Sequence, residues 1–208
     1  MFVHTLDLLG VFAFAAYGAH AGSRHGLDYF GMLVCASLTA LGGGTIREVM
    51  LHAQPVYFHN YAYVYAMLAG VGFTIGVQAY FSKIHRYMLL LDAVGLVAFA
   101  LIGASRSISA GLGLVPTLFF AVLTATGGGV MTDIVCNRKP GLFCGDFYAT
   151  PVLLLALGCY ALRHNISQPQ LIITLLALSF TLRIAVLYSP FGKRRQRRLR
   201  AVAEAAGQ

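Results

Sequence analysis

Two copies of one sequence pattern lie 85 residues apart and constrain the fold of this chain more than any other feature. Sliding the sequence by that offset places Leu6 and Asp7 on Leu91 and Asp92, and the match continues without a gap. Later identities include residues 13–15 on 98–100, Gly42, Gly43 and Gly44 on Gly127, Gly128 and Gly129, and Tyr63 on Tyr148. Self-similarity at a fixed offset means that one structural unit is used twice.

Apolar runs of nearly membrane-spanning length fill both copies. Hydrophobic residues make up 58% of the chain and charged residues 11%, with a mean hydropathy of +0.74, which excludes an ordinary water-soluble domain. A helix needs roughly 20 apolar residues to span a bilayer. The chain has seven apolar runs, most of which approach that length: residues 6–21, 29–41, 61–81, 87–104, 112–125, 147–162 and 171–188. The first lacks the basic start of a signal peptide and is repeated later, so we interpret it as a mature helix.

Each copy contains three runs, and an odd number of crossings forces the second copy to enter the membrane from the opposite side. This is the inverted-repeat arrangement of many transporters. We therefore predict an all-α membrane protein with seven transmembrane helices. Its expected parts are a first three-helix repeat at 1–85, an inverted second repeat at 86–168, a seventh helix at 169–190 and a basic cytoplasmic tail at 191–208.

Basic residues are concentrated in the tail, and an excess of Lys and Arg near membrane helices marks the cytoplasmic side. The basic residues of the tail are Lys193, Arg194, Arg195, Arg197, Arg198 and Arg200. With the tail inside and seven crossings, the N-terminus lies outside. The net charge of +8 then reflects topology, and the tail attracts anionic lipid headgroups. Nucleic acid is not an expected partner, because no soluble domain accompanies the basic run.

Glycine triplets end the second apolar run of each copy, at residues 42–44 and 127–129. Glycine inside a helix costs about 1 kcal/mol relative to alanine, so three in succession are expected to bend or break the helix. In lipid, broken backbone is tolerated only where protein or a water-filled cavity surrounds it, and carbonyl oxygens exposed there bind cations. We therefore predict an ion path at the two triplets. The alternative is that the glycines only allow close helix packing.

Polar side chains follow each triplet at membrane depth. Thr45, Arg47 and Glu48 follow the first triplet, and Thr132 and Asp133 follow the second. Charged groups are costly in a bilayer and usually face a partner or water, so these residues are functional candidates. Glu48 and Asp133 correspond under the offset, whereas Thr132 stands where the first copy has Arg47. The alternative is that all of them lie solvated in the headgroup region.

Asp7 and Asp92 form a second matched pair, near the starts of the first and fourth apolar runs. One interpretation is that each acid lies at one entrance of a cation path. The other is that both only cap their helices, since a carboxylate in the first turn interacts favourably with the helix dipole. Arg183, inside the seventh run, is a further intramembrane charge. It needs a buried counter-charge, or it extends toward the inner face.

Three segments resemble one known family. They are ALGGGTIREV at 40–49, TGGGVMTDI at 126–134 and FYATP at 147–151, and they are similar to the prokaryotic branch of the trimeric intracellular cation (TRIC) channels. The same proteins are also catalogued as glycine-transporter-domain or uncharacterised inner-membrane proteins. The resemblance covers residues 5–190. It implies a seven-helix protomer in the inner membrane of a prokaryote, a homotrimer with one pore in each protomer, and conduction of K⁺ with some Na⁺.

The resemblance also implies a pore enclosed by kinked second and fifth helices. The implied ion-path residues are Gly42, Gly43, Gly44, Thr45, Gly127, Gly128, Gly129, Thr132, Glu48, Asp133, Asp7 and Asp92. Relatives commonly place an Arg-Asp pair after the triplet, whereas this chain has Glu48 for the acid and Thr132 for the second arginine. Basic residues after the first triplet of animal relatives are linked to gating and anionic lipid. We assign that role to Arg47, with Arg183 as a further candidate.

The expected function is a monovalent cation channel, permeable to K⁺ with modest selectivity over Na⁺, because nothing resembles the carbonyl-ring filter of dedicated K⁺ channels. The alternative is a secondary transporter for a small amino acid such as glycine, with Arg47 binding the carboxylate and Glu48 or Asp133 the ammonium. An enzyme is not expected, because no His-Glu, Ser-His or Cys-His set shares one helix face at catalytic spacing. No cofactor is expected, since the cysteines lack metal-binding spacing.

Overall fold

The computed structural model describes residues 2–78, 85–144, 148–163 and 169–188, and the regular structure in these ranges is helical. The α-helices are α1 Phe2–Arg24, α2 Tyr29–Ser37, α3 Gly43–Met50, α4 Ala62–Gln78, α5 His85–Ser109, α6 Leu114–Val135, α7 Gly141–Cys144, α8 Thr150–Ala161 and α9 Pro169–Tyr188. A π-helical turn, Leu38–Gly42, joins α2 to α3, and a short 3-10 helix covers Val56–Phe58. The all-α prediction is confirmed for these ranges.

Each of the seven predicted apolar runs falls largely on helix. Four segments of the described chain are long and apolar enough to cross a bilayer: Tyr29–Met50, Tyr87–Ser109, Leu114–Val135 and Gln170–Tyr188. Ala62–Val77 and Thr150–Ala161 are shorter apolar helices. The chain is thus a helical membrane protein, while the count of seven crossings and the orientation of the termini stay predictions. The basic tail at 191–208 lies outside the described residues.

The helices α1 and α5 are the central pair of the fold. They pack against each other, α1 also contacts α2 and α4, and α5 also contacts α6, α8 and α9. Many of their buried side chains are alanines with no exposed surface: Ala15, Ala16, Ala19, Ala93, Ala100 and Ala104. Small residues let helix backbones approach closely, and this close packing is a main source of helix association in lipid.

Reciprocal contacts between α1 and α5 make the duplication visible. A Cβ added at Gly10 would lie 2.8 Å from the ring of Phe99, and a Cβ added at Gly95 would collide with the ring of Phe14. Phe14 and Phe99 pack edge to face with ring centroids 5.0 Å apart. Gly10 and Phe14 of the first copy are equivalent to Gly95 and Phe99 of the second. The copies therefore meet through the same surface, as a two-fold relationship requires.

The glycine triplets show the same reciprocity. Gly43 lies against α6, where an added Cβ would collide with the carbonyl oxygen of Thr124. Gly128 lies against the π turn, where an added Cβ would collide with the carbonyl oxygen of Thr39. Both collisions involve backbone atoms, which cannot move aside by changing a side-chain rotamer. Close helix packing, the alternative interpretation of the triplets, is therefore confirmed for these two glycines.

The triplets were predicted to bend or break their helices; the break is wrong, and a bend stays a prediction. The first triplet contains only the end of the π turn, at Gly42, and α6 continues without interruption through the second. An unsatisfied backbone polar group costs several kcal/mol in hydrocarbon, which exceeds the penalty of about 1 kcal/mol for a helical glycine. The helix therefore persists. Single π turns are frequent at functional sites, and this one marks the first triplet, while the second lies in regular α-helix.

Candidate ion site

A cavity of about 40 Å³ lies mostly in the first repeat, with two wall residues from the second, and brings together five predicted site residues, Asp7, Gly44, Thr45, Arg47 and Glu48. They come from α1 and α3. The remaining walls are Val11, Ala40, Leu41, Pro55, Val56, Tyr57, Tyr63, Phe99 and Thr124. A buried water needs roughly 10–15 Å³, so the space suits a few water molecules or a partly dehydrated monovalent cation.

Arg47 and Glu48 form a buried ion pair beside this cavity. Arg47 donates to Glu48 Oε1 from Nη2 at 2.6 Å and from Nε at 3.1 Å. The two residues are 5% and 2% exposed, so the interpretation that they lie solvated among headgroups is wrong. Arg106 of α5 places its Nε 3.5 Å from the same carboxylate oxygen. Contact of Arg47 with anionic lipid stays a prediction, and a lipid phosphate would have to displace Glu48.

Asp7 lies in the second turn of α1, and Tyr63 of α4 donates to its Oδ2 at 2.7 Å. His4 contacts the same tyrosine hydroxyl through Nδ1 at 3.2 Å. The first turn of α1 contains no acidic residue, so the interpretation of Asp7 as a helix cap is wrong. Within the described ranges, the Asp7 carboxylate forms no ion pair with Lys or Arg, in contrast to Glu48.

Hydroxyl groups face the same cavity. Thr45 Oγ1 donates to the Leu41 carbonyl oxygen at 2.7 Å and shares a hydrogen bond of 3.0 Å with the Tyr57 hydroxyl. Gly44 leaves the space beside them open, since an added Cβ would find only the Arg47 guanidinium, at 3.9 Å. The cavity therefore presents hydroxyl and carboxylate oxygens, which are suitable ligands for a cation.

In the second repeat, the equivalent of Asp7 is neutralised by Arg183 of α9. Asp92 accepts a hydrogen bond from the Tyr148 hydroxyl at 3.3 Å, and Arg183 Nη2 donates to its other oxygen at 3.1 Å. The guanidinium also lies over the Tyr148 ring, with Cζ 4.2 Å from the centroid. Asp92 and Arg183 are 3% and 4% exposed. Arg183 was predicted to need a buried counter-charge, and this is confirmed; the alternative that it extends to the inner face is wrong. Asp92 lies beyond the first turn of α5, so its interpretation as a helix cap is also wrong.

Asp133, the equivalent of Glu48, is engaged by the segment that follows α6. Arg138 pairs with its Oδ1, and the Gly141 amide donates to Oδ2 at 2.7 Å. Asp133 is 6% exposed, so a solvated position in the headgroup region is wrong for this acid too. Each repeat thus buries an acid after its triplet and pairs it with arginine, although the arginines come from different positions.

Thr132 connects α6 to the π turn. It is 1% exposed, shares a hydrogen bond of 2.6 Å with the Thr39 hydroxyl and donates to the Cys35 carbonyl oxygen at 3.1 Å. Of the neighbouring glycines, Gly127 would place an added Cβ 3.4 Å from a backbone Cα of the first triplet, and Gly129 would meet nothing within 4 Å. This side of the crossing is therefore closed by packing and hydrogen bonds.

The predicted site residues divide into two groups. Asp7, Gly44, Thr45, Arg47 and Glu48 surround one cavity. The others pack helices together, form ion pairs, or lie at the second triplet without reaching that cavity: Gly42, Gly43, Gly127, Gly128, Gly129, Thr132, Asp133, Asp92 and Arg183. Within the described ranges, Asp7 thus differs from Glu48, Asp92 and Asp133, each of which has an arginine partner.

Sequence reasoning missed the phenols that bind the two aspartates. Tyr63 and Tyr148 follow Asp7 and Asp92 by 56 residues in both copies. That equal spacing of an acid and a phenol was the available signal. Arg138 had no comparable signal, because a basic residue in a loop is explained equally well by membrane topology.

Long apolar helices with buried ion pairs define this chain as a multi-pass membrane protein. It belongs to the glycine transporter family, whose model matches residues 4–79 and again residues 89–164. A UPF0126 membrane protein of Deinococcus radiodurans is 36% identical over 139 residues, which are 66% of this chain and 65% of the relative. The UPF0126 inner membrane protein YadS of Escherichia coli K12 is 30% identical over 187 residues, covering 88% and 90% of the two chains.

Solved channel structures share the fold. The trimeric intracellular cation channel orthologue from Rhodobacter sphaeroides is 32% identical, with a TM-score of 0.81 over 89% of this chain and 97% of that one. A prokaryotic TRIC channel crystallised in 0.5 M KCl is 27% identical, with a TM-score of 0.82 over 90% and 96%. The predicted resemblance to prokaryotic TRIC channels is confirmed, and these neighbours support a membrane protein that is not an enzyme.

Proposed function

We propose that this protein is a monovalent cation channel, permeable to K⁺ with modest selectivity over Na⁺. The pore lies within each protomer, between the α2–α3 segment and α6, which are the second and fifth membrane helices. The cavity beside Asp7 carries the proposal, because it places acidic and hydroxyl oxygens inside the helical membrane fold. K⁺ and Na⁺ are the permeant ions, and no cofactor takes part.

Charge at the cavity favours cations over anions. Glu48 has two guanidinium groups nearby, whereas Asp7 has a tyrosine hydroxyl and no Lys or Arg ion pair within the described residues. An acidic group at membrane depth attracts cations into a water-filled path. Selectivity is modest because side-chain oxygens on separate helices define a less regular cage than a ring of carbonyls. The crossing at the glycine triplets is closed in this structure, so passage of an ion toward Thr132, Asp133 and Asp92 requires the α2–α3 segment and α6 to separate there.

The working unit in this proposal is a homotrimer in the inner membrane of a bacterium. The Rhodobacter sphaeroides structure, to which this chain is similar over most of its length, is that of a trimeric channel. Each protomer crosses the membrane seven times, with the N-terminus outside and the basic tail inside, where it contacts anionic lipids. Exposed apolar side chains on several helices supply surface for lipid and for neighbouring protomers.

A glycine transporter is the second candidate. The family name refers to that activity, and Asp7 and Arg47 line one cavity, so opposite charges are available for an amino acid's ammonium and carboxylate groups. Against it, the Arg47 guanidinium is already engaged by Glu48 at 2.6 and 3.1 Å. Binding a carboxylate there requires breaking a buried ion pair, whereas a cation needs no change at Arg47.

One preparation of proteoliposomes tests both candidates. We expect unitary K⁺ currents in planar bilayers, a reversal potential that shows weak preference for K⁺ over Na⁺, and no saturable uptake of labelled glycine. Asp7→Asn should reduce the K⁺ conductance, whereas Asp28→Asn, at the exposed start of α2, should not. Gradient-driven glycine uptake without unitary currents would replace the channel by the transporter.

A further inference from the structure

The two repeats treat their equivalent aspartates differently. In both, a tyrosine 56 residues later donates to the carboxylate, so the same acid and phenol pair is built twice. In the second repeat, the guanidinium of Arg183 lies 3.1 Å from Asp92 and over the ring of Tyr148. In the first repeat, the corresponding pair faces the cavity.

This difference has a simple origin in the chain. Arg183 lies on α9, which follows the two repeats, and α9 packs against α5 and α8 of the second repeat. Because α9 is not duplicated, the chain has one such arginine for two equivalent acids. The Asp7 carboxylate has the same phenol partner as Asp92, but it lines a cavity with Arg47 and forms no direct ion pair with Lys or Arg among the described residues.

We propose that Arg183 is a tethered cation that fills, beside Asp92 and Tyr148, the position that a free monovalent cation occupies beside Asp7 and Tyr63. The guanidinium identifies the ligand class, because it is a monovalent cation bound by a carboxylate and an aromatic face. The consequence for ion flow rests on the proposed channel function: the permeant ion binds at Asp7, and the Asp92 position is permanently occupied.

The test measures binding by its effect on thermal stability and needs no ion flow. A ligand that binds only the folded protein raises the unfolding midpoint, by an amount that grows with the logarithm of its concentration above Kd. Purified protein in detergent is heated in KCl or in choline chloride of equal ionic strength. We expect K⁺ to raise the midpoint of the wild-type protein and of Asp28→Asn, and the shift to be lost in Asp7→Asn. An equal K⁺ shift in Asp7→Asn would overturn the site at Asp7.

Chemical rescue tests the tethered cation. Arg183→Ala should lower the midpoint by several degrees, and millimolar methylguanidinium chloride should restore part of that loss, while choline chloride should not. The double variant Arg183→Ala/Asp92→Asn should not respond to methylguanidinium, and neither should Arg163→Ala, whose arginine lies at an exposed position over Tyr160. A folded Arg183→Ala protein that ignores methylguanidinium would overturn the proposal.

Three further outcomes also decide between the proposals. If Arg183→Ala does not fold, the K⁺ shift of wild type against Asp7→Asn still decides whether the first repeat binds a cation. If the cation-dependent shifts occur but bilayers show no current, the binding site stands and the channel function fails. If currents occur and the shifts are absent, the channel stands and the tethered-cation proposal fails.

Discussion

Gly43 and Gly128 form a reciprocal crossing between the two repeats. A Cβ added at Gly43 would collide with the carbonyl oxygen of Thr124, and a Cβ added at Gly128 would collide with that of Thr39. Each glycine thus sets how closely its helix approaches the other. The Gly128 contact involves Thr39, whose hydroxyl shares a hydrogen bond with that of Thr132, so the crossing also fixes the position of the π turn along α6.

Alanine substitutions in the second triplet should separate packing from flexibility. Gly128→Ala should destabilise the protein by about 1–3 kcal/mol, the usual cost of forcing volume into a packed interior. Gly129→Ala, whose Cβ would meet nothing within 4 Å, should be neutral or stabilise by about 0.5–1 kcal/mol. Unfolding midpoints in detergent measure both. Equal midpoints for the two variants would show that the crossing is looser than the structure has it.

The ion pair of Arg47 and Glu48 should behave as a unit. Arg47→Met alone should cost about 3–5 kcal/mol, because it leaves a buried carboxylate with only the longer contact to Arg106. The double variant Arg47→Met/Glu48→Met should recover most of that loss, since both charges are gone. A double-mutant cycle of unfolding free energies gives the coupling. Strictly additive costs would mean that the two side chains do not interact.

Removing the two phenol hydroxyls should have unequal effects. Tyr63→Phe deletes a hydrogen bond of 2.7 Å to a carboxylate, worth about 1.5–3 kcal/mol. Tyr148→Phe deletes a longer one, 3.3 Å, from an acid that keeps Arg183 as a partner, so it should cost less. Tyr63→Phe should also change K⁺ conductance, which Tyr61→Phe, at an exposed position, should not. A larger loss from Tyr148→Phe in stability and conductance would reverse the assignment.

Thr132→Val should loosen the contact between α6 and the π turn. It removes the hydrogen bonds to Thr39 and to the Cys35 carbonyl, at about 1 kcal/mol each. The control is Thr181→Val on the exposed face of α9, where the hydroxyl bonds only its own helix at Ala177. We expect a lower midpoint for Thr132→Val alone, measured in the same detergent. A matching drop in the control would assign the effect to loss of a threonine in general.

The helices and the duplication were predictable because both follow from pattern. A run of about 20 apolar residues has few alternatives in lipid, and matched positions such as Gly10 and Gly95 identify the repeat without any structure. The glycine triplets were predicted less well. Glycine's intrinsic penalty is a local quantity, whereas the helix at the second triplet persists because its backbone bonds are obligatory and Gly128 packs against the π turn.

The ion pairs of the candidate site were harder to predict, since the arginines that pair with the acids come from different parts of the chain. Arg183 is 91 residues from Asp92 and belongs to neither repeat, so the offset that pairs Asp7 with Asp92 gives no sign of it. Arg138 compensates Asp133 from a loop, where the first repeat uses Arg47 on the helix itself. The duplication predicts a symmetric pair of acids, and the structure differs through Arg183, which follows both copies, and through arginines that only one copy has.

An inverted duplicate, taken alone, looks the same from either side of the bilayer. In this chain the copies are not equivalent, because Arg183 of α9 reaches only one of the two aspartates and the acids after the triplets are paired by arginines from different positions. The two ends of an ion path are therefore unlike, and we expect rectification: unequal currents at equal and opposite voltages in symmetric salt.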